Sequence, residues 1–390
     1  MKQKASSQSC CKLWFRFLIF SLLSSSASWA VPNAFDGTID TDWSKAGNWN
    51  VELPGTSAGN TAIVQNQRTV DLTTDFAGAN SFDATIRDGS TLNISANFSN
   101  VGFLRVGHND GHFGTINHSA GTVSTTTTGA IIVGEPTGNA TQDSNYNHTG
   151  GTVNTAGIDI RQKGKLNISN NASFNLGSGG NSSIRSGGEV RLNGGTLTVD
   201  KDSENVTVTG DGLLLINSGT FTSQGADPGD VLTMHNDVRV VDGTVNLAGQ
   251  NYFGGEFRVV GDAATIQIDR LNSSAMITTD FVFEMDSDGI SAIINTNWMN
   301  LEYTTITVDA TAYTGGAGTF TLFGTNNLSQ ISGALNVIGL ANDLTGQIIQ
   351  DEDNDIVTLR IVPEPGQAAL LLGCIAVGFV LLLRRLKPGH

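Results

Sequence analysis

NHSAGTVS at residues 117–124 returns as NHTGGTVN at residues 147–154, at a spacing of 30. Around these two stretches, LRVGHNDG (104–111), IIVGEPTG (131–138) and IDIRQKGK (158–165) set Val106, Val133 and Ile160 apart by 27 and again by 27. The second NH copy arrives late because the connection EPTGNATQDS (135–144) is long, and the next connection is shorter by the same amount. A period that survives while residues are traded between loops implies coils stacked on one axis. Further copies follow in NGGTLTVD (193–200), NSGTFTSQ (217–224) and VDGTVNLA (241–248), where Gly195, Gly219 and Gly243 recur every 24 residues. STLNIS (90–95), GKLNIS (164–169) and ASFNLG (172–177) read as other faces of the same coils.

Each unit has the form Gly-Thr-apolar-polar, a corner followed by a short alternating strand. Glycine takes a positive φ without a Cβ penalty. The apolar residue points into the coil, and Thr or Asn points out or joins a ladder. The pattern predicts an all-β chain: a right-handed parallel β-solenoid (β-helix) with an N-terminal cap, a C-terminal β cap and a C-terminal single apolar helix. The expected limits are an N-terminal cap and first coil at 31–84, solenoid repeats at 85–280 holding on the order of eight coils, and a C-terminal β cap at 281–361. An antiparallel sandwich or barrel with similar turns is the competing arrangement, but its strands need not keep a long fixed period. Helical repeats fail, because no segment shows a 3.6-residue period.

The start of the chain carries Lys2, Lys4, Lys12 and Arg16 around the apolar run LWFRFLIFSLL, followed by SSSASWA. This order reads as a signal peptide over residues 1–30 with cleavage after Ala30, the alternative being an uncut N-terminal helix. Cys10 and Cys11 fall in that leader and Cys374 in the C-terminal apolar run, so residues 31–362 contain no cysteine and expect no disulfide. Of 21 Lys+Arg, four lie in the leader and three after the apolar run, leaving 14 in the body against 35 Asp+Glu, a net charge of −21. Such an acidic body excludes nucleic acid and anionic lipid as natural partners.

At the front of the body, DTDWSKAGNWNVELPGTSAGNTAIV (40–64) carries Trp43 and Trp49, which suit either a lid over the first coil or an aromatic platform for sugar rings. This opening resembles that of bacterial exported β-solenoid proteins with autotransporter-passenger-like repeats. From about Asp280 the Gly-Thr repeat dissolves into FVFEMD, TITVDA, GTFTLFG, GALNVIG and DIVTLRIV, from which several antiparallel pairs are expected. The chain then reads VPEPGQAALLLGCIAVGFVLLLRRLKPGH (362–390). Val362, Pro363, Glu364 and Pro365 form a stiff extended peptide, residues 367–383 an apolar run slightly short of a bilayer span, and Arg384 and Arg385 a basic stop. Peptide, span and basic end in this order closely resemble the PEP-CTERM sorting signal. The resemblance implies transient inner-membrane anchoring, recognition and removal of the tail by an exosortase, and delivery of the body to the cell surface or extracellular polysaccharide.

Candidate chemistry in the body is sparse. His118 and His148 occupy matching repeat positions, where stacked strands would bring them within reach of a shared metal; the simpler expectation is an outward polar ladder. His108 and His112 flank Asp110 in a turn. EMDSDG (284–289) and DEDND (351–355) concentrate carboxylates, as calcium sites or as solvated turns. Polysaccharide lyases and hydrolases need converging acids and a base, and Asp211, Arg239 and Asp242 are scattered. The sequence therefore suggests no catalytic residue, no metal and no cofactor. It describes an exported structural or adhesive component of exopolysaccharide or biofilm, with an extracellular polysaccharide as partner, and not an enzyme. A polysaccharide-degrading enzyme or a calcium-dependent adhesin on the same scaffold stands as the alternative.

Overall fold

Apolar residues at alternate positions of a strand build one buried and one exposed row. The computed structural model describes residues 32–364 except 138, 202–204, 226, 228, 329–330, 342 and 352. Its only helical element among those residues is a 3-10 turn at Ala46–Asn48; the rest of the regular structure is strand. The chain winds as a parallel β-solenoid of about ten turns.

Three sheets run along the solenoid, one per side. Face 1 starts at Thr69–Leu72 and passes through Ser90–Ile94, Gly114–His118, Ser144–His148 and Gly164–Ser169, each pairing in parallel with the next. Face 2 starts at Pro32–Ala34, continues through Thr61–Val64 and the end of Phe76–Ile86, and later through Gly157–Ile160 and Ser182–Ile184. Face 3 takes the start of Thr122–Val133, then Thr152–Thr155, Ser173–Leu176 and the second halves of Glu189–Asp200 and Leu213–Gln224.

The sequence repeats fall into register on these faces. Val106 pairs with Val133 and Val133 with Ile160. Asn117 and His118 meet Asn147 and His148, and Thr196 meets Thr220, which meets Thr244. STLNIS and GKLNIS both lie on face 1, while ASFNLG lies on face 3.

Parallel pairing crosses both expected limits of the solenoid. Thr61–Val64 already pairs with residues 83–86, and Phe281 pairs with Ile306, which pairs with Leu335. Among the described residues of the C-terminal part, antiparallel pairing joins only Ile356–Pro363 to Gly318–Gly324 and to Leu344–Asp351. The expectation of antiparallel pairs from Asp280 onward therefore fails for FVFEMD, TITVDA and GALNVIG. The Gly-Thr signature marks a tight corner and is not needed for a rung, which requires only alternating apolar residues.

Two interior columns on face 1 show that alternation. One runs Val70, Leu92, Ile116, Tyr146, Leu166 and Val190; the other runs Leu72, Ile94, His118, His148, Ile168 and Leu192, all without solvent exposure. Each such aliphatic side chain contributes about 1.5–3 kcal/mol on burial.

The corners explain the glycine period. Gly219 and Gly243 both have φ near +100°, and a Cβ on Gly243 would stand 2.5 Å from the carbonyl oxygen of Gly219 one coil away. In the first copy the left-handed residue is Gly194, one position before the expected Gly195. Gly151 repeats this arrangement, with φ +80° and a Cβ position 2.2 Å from the carbonyl oxygen of Gly121. Gly151→Ala combines left-handed strain with a backbone clash and is expected to destabilise by about 2–3 kcal/mol. A fall in the urea midpoint relative to the parent chain would measure it; an unchanged midpoint would mean the corners are free to move apart.

Candidate functional site

Alternation also sets where the histidines point. In the run Ile116-Asn117-His118 the isoleucine and the histidine share the inner row and the asparagine the outer. The expected outward histidine ladder is thus an inward pair: His118 and His148 are fully buried and their rings stack at 4.5 Å, 21° from parallel. His118 Nε2 lies 3.3 Å from the Gly121 carbonyl and its Nδ1 3.5 Å from the Tyr146 hydroxyl. His148 Nε2 donates to the Ser173 carbonyl at 3.0 Å, while its Nδ1 has no hydrogen-bond partner among the described residues. Burial, and then the neighbouring His148, push the His118 pKa down to about 4. Burial likewise lowers that of His148. Among the described residues no group of three or more His, Cys, Asp and Glu side chains is placed to hold a metal ion.

The outer row beside them is an amide ladder. The side chains of Asn93, Asn117, Asn147 and Asn167 each donate Nδ2–H to the side-chain oxygen one coil earlier, starting on Asp71, at 2.8–3.0 Å. Asn117→Ala interrupts two of these bonds and is expected to lower stability by about 1–2 kcal/mol, read as a fall in melting temperature with the fold retained by circular dichroism.

The remaining sequence candidates do not converge. Trp43 and Trp49 are buried, which removes them as a sugar platform. His108 Nδ1 accepts from Arg161 at 2.9 Å, whereas His112 pairs with Asp88. Asp286 accepts the backbone amides of Asp288 and Gly289, and Asp351 those of Asp353 and Asn354. At both places backbone N–H groups satisfy a carboxylate, as in an Asx turn. Asp211 precedes one end of its face 1 rung and Asp242 follows the other end of the next, roughly 20 Å across the sheet. Arg239 between them faces Glu284 at 3.7 Å.

Of the sorting residues, Val362 and Pro363 end the strand Ile356–Pro363, opposite Thr345 and Leu344. The Glu364 amide donates to the Asp343 carbonyl at 2.8 Å. Ala30, Pro365, the span 367–383, Arg384 and Arg385 lie outside the described residues. Among the described residues no helix is long and apolar enough to cross a membrane.

Two features were not singled out in the sequence. Lys201 is fully buried at the corner after face 3, where its Nζ donates to the carbonyls of Ala248 (2.6 Å) and Gln250 (3.2 Å). Burial lowers its pKa to about 8. Its partners lie two coils away, so no short motif announces it. The second feature is the outer surface of face 3. Its successive rungs read TVS (122–124), TVN (152–154), SFN (173–175), TLT (196–198), TFT (220–222), TVN (244–246) and TIQ (265–267), in register without a shift inside any of these triplets. The central residue of each is buried, and every flanking residue is a hydroxyl or a carboxamide.

Charges gather on the other two faces. Face 1 carries Glu189 with Arg191 and Arg258 with Glu256 and Glu284. Face 2 carries Asp83 with Arg105 and Asp159 with Arg161 and Arg185. At the corner between faces 3 and 2, the coil containing Thr125–Thr127 has more residues than the next coil, since Val123 pairs with Val153 but Ile131 with Ile158. The extra threonines wall a shallow groove of about 370 Å³ that also includes Asn154, Asn175 and Asp200. Compared with protein-family models, with curated proteins and with solved structures, the chain matches none of them.

Proposed function

We propose that this chain is an exported surface or extracellular-matrix protein, a structural or adhesive component of exopolysaccharide or biofilm. The observation that carries the reading is the outer surface of the solenoid: long, in-register rows of hydroxyl and carboxamide groups on an acidic rod about 50 Å long, ten coils at one strand spacing each. Such rows match the hydrogen-bonding capacity of polymer hydroxyls and of water. The leader 1–30, cleaved after Ala30, and the tail from Val362 to Arg385, resembling a PEP-CTERM signal, supply the route. The apolar span 367–383 anchors the chain transiently in the inner membrane until an exosortase removes it near Val362-Pro363-Glu364-Pro365.

The finer architecture belongs to the same proposal. The solenoid is right-handed, as nearly all parallel crossover connections are. Residues 31–84 close its first coil and residues 281–361 its last, because open coil ends need polar covers to stay monomeric.

The test incubates the purified protein with a panel of neutral and acidic polysaccharides and measures both retention and products. Retention without new reducing ends or unsaturated products is the expected result. New ends would make the protein a polysaccharide-degrading enzyme, and a chelator-sensitive melting temperature would make it a calcium-dependent adhesin. In cells lacking exosortase, the full-length tail should stay in the membrane fraction; its normal removal there would sink the sorting route.

A further inference from the structure

We infer that face 3 is the polymer-binding side of the rod, and that its ligand is an uncharged, extended polysaccharide lying along the solenoid axis. This rests on the matrix reading above and narrows it to one face, one ligand class and one orientation.

Three observations carry it. First, the two outer rows formed by the face 3 triplets carry no charge, Asp200 at the end of its face 3 strand being the carboxylate beside them, while faces 1 and 2 each carry several ion pairs. A polyanionic chain finds no cation on face 3 and is repelled by the acidic body; a neutral chain finds hydrogen-bonding groups and loses no charge hydration. Second, the rows are straight, because every register shift between these strands falls outside the face 3 triplets, at the corners. Rungs about 4.8 Å apart thus repeat along the axis at nearly the length of one sugar unit, with two rows about 6.6 Å apart across each strand. Third, Thr220, Thr244 and Thr265 each carry a methyl beside a hydroxyl, which suits a pyranose ring with its apolar C–H faces and hydroxyl-bearing edge. The groove beside Thr125–Thr127 lies at the early end of the rows and supplies a side wall that the open face lacks.

The test uses affinity electrophoresis with hydroxyethyl cellulose and dextran as uncharged polymers and alginate and polygalacturonate as polyanions. Thr220→Val with Thr244→Val keeps the β-branched shape and removes two hydroxyls. Thr220→Lys with Thr244→Lys also obstructs the rows. Arg191→Gln with Arg258→Gln changes face 1 instead, and circular dichroism confirms the fold of each variant. The expected result is binding to at least one uncharged polymer that falls about tenfold in the valine variant, the equivalent of one to two net hydrogen bonds, is lost in the lysine variant and persists in the face 1 variant. Binding to uncharged polymers that ignores the face 3 changes, or binding to polyanions alone, would overturn this assignment and leave the matrix reading standing. Failure to bind any of the four polymers would overturn both.

Discussion

Replacing Trp43 by alanine is expected to destabilise the first coil by about 3–5 kcal/mol, the range for deleting a buried tryptophan. Trp43 has no solvent exposure and contacts Trp49 and Phe98 edge-on, with ring centroids at 4.8 and 5.1 Å and Phe76 at 6.2 Å. Its backbone amide donates to the Asp71 carbonyl at 2.9 Å, and the Asp71 amide donates to Thr41 at 2.8 Å. The segment around it is therefore stitched to the outer edge of the first rung of face 1, and the indole fills the space above the coil. In a solenoid each coil is supported by its neighbours, so losing the cover exposes the next interior layer and lets unfolding begin there. Hydrogen exchange should show protection lost first at residues 69–72 and 76–86, with the centre of the rod unaffected at low denaturant. Retained protection at the first coil in Trp43→Ala would show that the indole is not what closes it.

Acidification from pH 6.5 to 4 is expected to remove about 3 kcal/mol through His118 alone. In the unfolded chain His118 titrates near the ordinary imidazole value of about 6.5, whereas in the folded protein burial and the stacked His148 hold it down to about 4. Between those values the unfolded state carries the extra proton, so stability falls as pH falls, and the loss is complete below the folded pKa. His148 shifts in the same direction through burial. His108, lowered to about 4 by burial and then by Arg161 and Arg105, adds to the same window. Urea midpoints at pH 7 and pH 4.5 measure the slope. The double variant His118→Leu with His148→Leu, which restores the aliphatic column seen on neighbouring coils, should flatten it markedly. An equally steep slope in that variant would place the acid sensitivity elsewhere.

The coil stacking was legible because of a steric rule. A corner glycine must recur wherever the same corner one coil away presses its carbonyl against it, and Gly219 and Gly243 show that contact. The rungs after Asp280 were less legible, since Phe281 and Ile306 stack in parallel without such a corner. The histidines were misplaced because the conspicuous pair of letters, Asn-His, straddles the sheet: Asn117 belongs to the outer ladder and His118 to the core. Trp43 and Trp49 admitted two uses until burial removed one of them. Lys201 could not be found at all from a local pattern, because the carbonyls it binds are supplied two coils later.

Periodicity, glycine corners and inside–outside alternation are properties of neighbouring residues, so the amino-acid order was enough to specify a stack of β coils with a largely apolar interior. Which outer row shares a side with which is different. It depends on where each bend falls after insertions such as the one at Thr125–Thr127, and bends of variable length can be counted only once the chain has closed on itself. Folding is what gathered the ion pairs on two faces, aligned uncharged hydroxyl and carboxamide rows on the third, and set His118 against His148 in a core that is otherwise apolar on that column.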